Sequence, residues 1–213
     1  MTKKRLFTAT VLAIHVILTS AKAQNSIFEH ETPITWLGLD FTAAVFIGDA
    51  DKFRSDSIVY DFMYDLNTLM IEEPDKYNIA EVFEKAHVEN AIDITRDRND
   101  NIKASALRSA SKGNFPALTP QIIEAIVSRY DFSGYNGIGL MFNIESFSKV
   151  SEKGTLWVTF IDMTTKEVLL TKKLMGQPGG FGLRNYWGGC IYGILKQIRR
   201  HEYLTWKNRY YRH

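Results

Sequence analysis

Four glycines fall within seven residues of KKLMGQPGGFGLRNYWGGC (172–190): Gly176, Gly179, Gly180 and Gly182. A strand-like run precedes them and a helix-like run follows. A phosphate cradle needs this order, because backbone N–H groups must converge at a helix N-terminus, where the dipole favours an anion. The details depart from the known cradles. A P-loop requires Gly-Lys-Ser/Thr after the glycines, and Gly182 is followed by Leu183 and Arg184. The dinucleotide pattern G-x-G-x-x-G is met at Gly180 and Gly182, but Asn185 stands where the third glycine belongs. The loop also follows the last strand-like run instead of opening a βαβ unit. Two readings stay open. One is a small-ligand or anion-binding loop over Gly176–Gly182, assisted by Arg184. The other is a turn in which Asn185 caps the closing helix.

The same stretch carries Arg184 beside Tyr186 and Trp187. Arg, Tyr and Trp dominate interface hot spots, so the cluster suits a protein-recognition patch; core packing with Trp187 inward is the alternative. Gly179, Gly180, Gly182, Arg184, Asn185, Tyr186 and Trp187 are therefore the candidate ligand- or partner-binding residues. Gly189 and Gly193, four apart on the closing helix, permit close approach of a neighbouring element.

Other chemistry has little support. His30, His87, His201 and His213 stand apart, with no HExxH. Asp97–Asn101 (DRNDN) starts like a calcium loop, but Ile102 replaces the sixth-place glycine and Arg108 the bidentate Glu. It reads as a solvated loop. Asp49 and Asp51 could share a metal, and read more simply as polar strand-end residues. Cys190 and His201 on one helix would lie about 16 Å apart by rise, too far for a nucleophile–base pair. There is no G-x-S-x-G elbow. No catalytic residue, metal ligand or cofactor is assigned.

The elements that must position the loop follow from periodicity. PITWLGLDFTAAVFIG (33–48) reads as one buried strand or two with a bend at Asp40. Ile58, Phe62, Leu66 and Leu69 recur at helical spacing behind a Ser55 or Asp56 cap. Asn78 and Glu81 form a possible capping box for a helix over 79–87. Ile92 and Ile94 suggest a short strand before the polar loop. Thr119-Pro120 opens a helix. Three strands follow, over 138–150, 155–163 and 167–176, joined by tight turns as an antiparallel meander. Trp187, Ile191, Ile194, Leu195 and Ile198 give the closing helix its apolar face. The expected fold is α/β (α+β), a mixed or antiparallel sheet with helices mainly on one face, ending in the meander and a helix.

The first 23 residues supply a compartment. Lys3, Lys4 and Arg5 precede a fifteen-residue run without charge, then Ala21-Lys22-Ala23. This is the three-part layout of a secretory signal peptide, and the apolar run is short for a membrane span. Gln24, not cysteine, follows the expected cut, so no lipid anchor is expected. Cleavage removes four cations and no acids, taking the formal charge from +2 to −2. The basic character of the whole chain is thus no nucleic-acid signature. Residues 24–213 fit a single domain. Cys190 is the only cysteine, which excludes a disulfide within the chain and suggests a buried thiol.

The tail KQIRRHEYLTWKNRYYRH (196–213) sets six Lys and Arg residues against Glu202, with Tyr203, Trp206, Tyr210 and Tyr211 interleaved. Such a segment, about 201–213 at its most exposed, suits peripheral contact with an anionic membrane. A helix end with cations at its negative pole is the alternative.

ITWLGLDF, PQIIEAIVSRY, GIGLMFNIESFSK, TLWVTFIDMTTKEVLLTKKLMG and the closing helix resemble, in their order, the α/β domain of the TolB N-terminal region and of the curli-secretion lipoprotein. The hairpin turning at IDMTTKEVL is part of the likeness. The missing lipidated cysteine and the segment 71–115 depart from it. The resemblance implies an envelope-associated assembly protein and transfers no catalytic residue. The expected function is that of an exported, non-enzymatic envelope protein, periplasmic or secreted, acting through protein contacts with an envelope partner. The alternatives are a ligand or anion module on the glycine loop and a hydrolase with an unrecognised site.

Overall fold

The computed structural model describes residues 24–48, 53, 55–109 and 117–211. Residues 1–23, where a signal peptide is expected, the Asp49/Asp51 pair, Arg212 and His213 lie outside the described residues. Strands β1 (Ile34–Asp40), β2 (Val45–Ile47), β3 (Val88–Asn90), β4 (Arg108–Ser109), β5 (Ile138–Ser148), β6 (Lys153–Asp162) and β7 (Glu167–Gly176) form one sheet. The helices are α1 (Asp56–Glu72), α2 (Ile79–Val82), α3 (Asp93–Asn99), α4 (Ala104–Leu107), α5 (Pro120–Val127), α6 (Leu183–Gln197) and α7 (Tyr203–Tyr210), with a π turn, Ile198–Glu202, between the last two.

The class is α/β. Its sheet is more parallel than expected from an antiparallel or mixed reading. β5 lies centrally, with β1 and β2 parallel along one edge and β6 antiparallel along the other. β3 adds to β1 and β4 to β2, again parallel, so four of the six pairings are parallel. The reason lies in the connections. Parallel neighbours need a crossover, and helices α1 to α5 all fall between β2 and β5. Only 138–176 has the tight turns that make antiparallel neighbours.

Alternating side chains divide the core. Ile34, Trp36, Leu140, Phe142, Leu156, Val158 and Phe160 face the larger cluster, under Phe62, Leu66 and Leu69 of α1 and Trp187, Ile191 and Ile194 of α6. Leu37, Met141 and Ile161 face the other side, where Ile123, Ile126 and Val127 of α5 cover them. The sheet is covered by helices on both faces, unequally.

β1 meets a problem that polar side chains solve. β3 pairs only as far as Trp36, and the register slips between Trp36 and Gly38. The outer edge of β1 beyond that point is buried without a strand, and buried backbone groups need partners. Helices supply them. The Thr95 hydroxyl donates to the Leu37 carbonyl at 2.6 Å. Asn67 Oδ1 accepts from the Leu39 amide at 2.7 Å, and Asn99 Oδ1 from the Phe41 amide at 2.9 Å. Gly38, at φ +92°, passes so close that a Cβ would sit 2.5 Å from Asn67 Oδ1.

This accounts for one correction. Where a strand was expected around Ile92–Ile94 and a loop from 97, the chain forms helix α3 over Asp93–Asn99 and then turns, and its inward Thr95 and Asn99 hold β1. The helix expected over 79–87 is also shorter, ending at Val82. The caps at Ser55, Asn78 and Thr119 are formed as read.

The chain stays helical through the π turn to Tyr210, and Tyr203 and Trp206 are buried. Tyr203 donates to the Ile27 carbonyl at 3.2 Å, and Tyr211 packs edge-on to Phe28. Tyr203 and Trp206 are thus part of the core, while Leu204 is exposed. The outer edge of β7 is blunted too. Gln24 and Gln197 side chains donate to the Leu169 and Met175 carbonyls, at 2.8 and 2.9 Å.

Candidate functional site

The glycine loop joins β7 to α6, and its glycines serve backbone contact. The Gly179 amide donates to the Tyr186 carbonyl at 2.9 Å. A Cβ on Gly189 would lie 2.0 Å from the Gly179 carbonyl oxygen. The loop therefore lies directly on the helix backbone, with room for hydrogen atoms only. Gly180, at φ +122°, has Asn185 backbone where a side chain would project. One amide that an anion cradle would aim outward is thus spent inside the protein.

Asn185 does not cap α6. Gly182 occupies the N-cap with no side-chain hydrogen bond, and Asn185 lies within the first turn, accepting from Arg184 Nε at 3.3 Å. The sequence reading placed the cap three residues late, because Gly182 at φ +80° already makes the turn into the helix.

Trp187 is fully buried and stacks on Phe147 with ring centres 4.5 Å apart. It anchors the core and presents nothing to a partner, so the expected Arg-Tyr-Trp patch loses its largest member. Tyr186 stands edge-on to Trp187 and accepts from the Lys149 ammonium at 2.6 Å. Arg184 is half-buried at the start of the helix. Phe181 was missed. It lies 96% exposed between two of the glycines, the most exposed large apolar side chain among the described residues. Its signal was a bulky apolar residue in a loop whose periodicity called for none. The surface the loop offers is Phe181, Arg184 and Tyr186, held by Gly179, Gly180 and Gly182.

Gly193 differs from Gly189: nothing lies within 4 Å of its missing Cβ. Cys190 is buried against Gly154 and Gly176, and burial pushes its thiol up to about 12. An un-ionised thiol is a poor nucleophile.

The buried acid elsewhere is structural. Asp40 accepts from the Tyr130 hydroxyl at 3.0 Å, the Thr42 amide at 3.0 Å and Asn143 Nδ2 at 2.7 Å. Asn143 accepts in turn from Thr159 at 2.7 Å, which meets Thr171 at 2.9 Å. Burial, then the Asp40 charge, hold the Tyr130 phenol well above its usual range. Both Asp40 oxygens, the Asn143 amide and the Thr159 hydroxyl are thus hydrogen-bonded within the protein. His30 contacts the Glu84 carbonyl at 2.7 Å, and His87 and His201 lie near Glu89 and Glu202 on the surface. Among the described residues no three His, Cys, Asp or Glu side chains converge as a metal site, and no helix is long and apolar enough to cross a membrane. No protein-family model matches the chain, and no curated protein matches it.

Proposed function

We propose that this is an exported envelope protein, free of lipid and periplasmic or secreted, that works by binding another envelope protein through the glycine loop and not by catalysis. The single observation behind this reading is Phe181, 96% exposed on a loop whose backbone is pinned to α6 at Gly179–Gly189. Covering a phenyl ring by a partner removes apolar area from water, which favours association. A pinned loop loses little conformational entropy on binding, so more of the contact energy appears as affinity. Arg184 and Tyr186 flank it with the side chains that favour interface centres. The leader-like residues 1–23 support export, and the resemblance of the sequence to the TolB and curli-secretion domains motivates an assembly role.

The test is site-specific cross-linking in cells. A photo-reactive residue at Phe181 should give one discrete envelope adduct, while the same residue at Tyr135, 41% exposed, should not. Equal or absent adducts at the two positions would refute the loop as the contact. Recovery of the working protein with residues 1–23 attached in the cytosol would refute export.

A further inference from the structure

Between α1 and β3 the chain leaves two adjoining hollows on the side away from α5. One, about 310 Å³, is lined by Lys76, Tyr192, Lys196, Arg199 and Arg200 among others. The second, about 210 Å³, has Trp36, Met70, Ile79 and Val88 in its wall. Asp75 and Asn78 line both, so the hollows share a rim.

The first hollow sets Lys76, Lys196, Arg199 and Arg200 against the carboxylates of Asp75 and Glu81, so its cations outnumber its acids. Arg199 meets Glu81 at 2.5 Å and Lys76 meets Glu73 at 3.0 Å. The Lys196 ammonium lies 5.1 Å from the centre of the Tyr192 ring and reaches no carboxylate among the described residues. The Arg200 side chain has neither hydrogen bond nor ion pair there. Tyr192, Lys196 and Arg200 follow at steps of four, so they stack on one face, where like charges repel. The helix widens into its π turn at this point, a distortion that recurs at functional sites. Trp36 lines the second hollow; its indole N–H is itself buried and has no acceptor among the described residues, as also holds for the Trp187 N–H and the Tyr77 hydroxyl.

We infer that the two hollows form one binding site for a small amphiphilic anion. Its phosphate, sulfate or carboxylate sits between Lys196 and Arg200. Its flat apolar body enters the second hollow against Ile79 and Val88, beside the Trp36 ring. The site uses no residue of the glycine loop and stands apart from the partner-binding reading.

Titration of the purified protein with phenyl phosphate, inorganic phosphate and benzyl alcohol tests it. Phenyl phosphate should bind saturably and at least tenfold more tightly than either half-probe. It should move the assigned Trp36 indole N–H resonance. Lys196→Ala combined with Arg200→Ala should weaken it at least tenfold; both side chains are solvent-facing, so the melting temperature should hold. Filling the second hollow by Ala80→Leu should reduce phenyl phosphate to the affinity of inorganic phosphate. Equal affinity for the three probes, binding untouched by the charge removal, or an unmoved Trp36 signal overturns the inference.

Discussion

Gly189→Ala separates a packing role from ordinary helix propensity. In an unconstrained helix interior, alanine in place of glycine stabilises by about 1 kcal/mol. At Gly189 the new Cβ would lie 2.0 Å from the Gly179 carbonyl oxygen, with the Gly179 carbon and nitrogen at 2.9 and 3.0 Å. All three are backbone atoms, so no rotamer change relieves the overlap. The loop must lift off the helix by more than 1 Å, which breaks the Gly179–Tyr186 hydrogen bond, worth about 0.5–1.5 kcal/mol, and exposes the helix surface beneath. The sign should therefore reverse, to a loss of about 1–3 kcal/mol. Gly193 is the internal control, four residues along the same helix with nothing within 4 Å. Gly193→Ala should gain about 0.5–1 kcal/mol. Urea unfolding of the two variants measures the difference directly. Cross-linking from position 181 reads its functional side, because a lifted loop should lose its adduct while the fold persists. If both variants are stabilised equally and both cross-link, the loop is not pinned and the argument for a pre-ordered contact fails.

Three further outcomes are expected. Gly38→Ala combines a φ of +92° with a Cβ 2.5 Å from Asn67 Oδ1 and 2.8 Å from Thr95 Oγ1, so it should cost about 3–5 kcal/mol in urea unfolding; a loss under about 1 kcal/mol contradicts the account of β1. Lys85 is buried, its ammonium held by the Ser26 and Glu29 carbonyls, and burial lowers its pKa from 10.5 to about 8. The unfolded chain then binds more protons above pH 8, so stability should rise with pH, by at most about 1 kcal/mol up to pH 9. Above that, Cys190 opposes it: its folded pKa of about 12 exceeds the ordinary 9.0, which makes stability fall as pH climbs. Lys85→Met should abolish the rise between pH 8 and 9, and a rise that survives in this variant assigns it elsewhere. Finally, Cys190 should resist a thiol reagent in the native protein and react on unfolding in urea; rapid native labelling would show the thiol to be accessible.

What the sequence made legible was local. Ser55, Asn78 and Thr119 announce helix starts because a cap and its helix are neighbours in the chain. The runs of β5, β6 and β7 are long and separated by turns, so they too can be read in place. Pairing across the sheet is a different matter. β1 and β5 lie about a hundred residues apart, and β1's outer edge depends on Asn67, Thr95 and Asn99, polar side chains that periodicity assigns to solvent. The tail stayed open to two readings for the same reason. Tyr203 and Trp206 are three apart amid cations, a surface pattern until the core beneath them is known.

The glycines are the sharpest case, because their spacing suggested a ligand and their contacts show a wedge. Successive residues of a helix point about 100° apart. Gly188 faces Leu69 and Tyr77, Gly189 faces the Gly179 backbone, and Cys190 faces Gly154 and Gly176 of the sheet. Three consecutive positions on α6 thus meet α1 and the segment after it, the loop, and the β-sheet at close range. Only the smallest side chains fit such a helix, which is why the motif reads Gly-Gly-Cys. The same confinement fixes where the loop can lie, and so where Phe181 projects. The chemistry suggested by the glycine spacing and the geometry that exposes Phe181 are two consequences of one helix held on three sides.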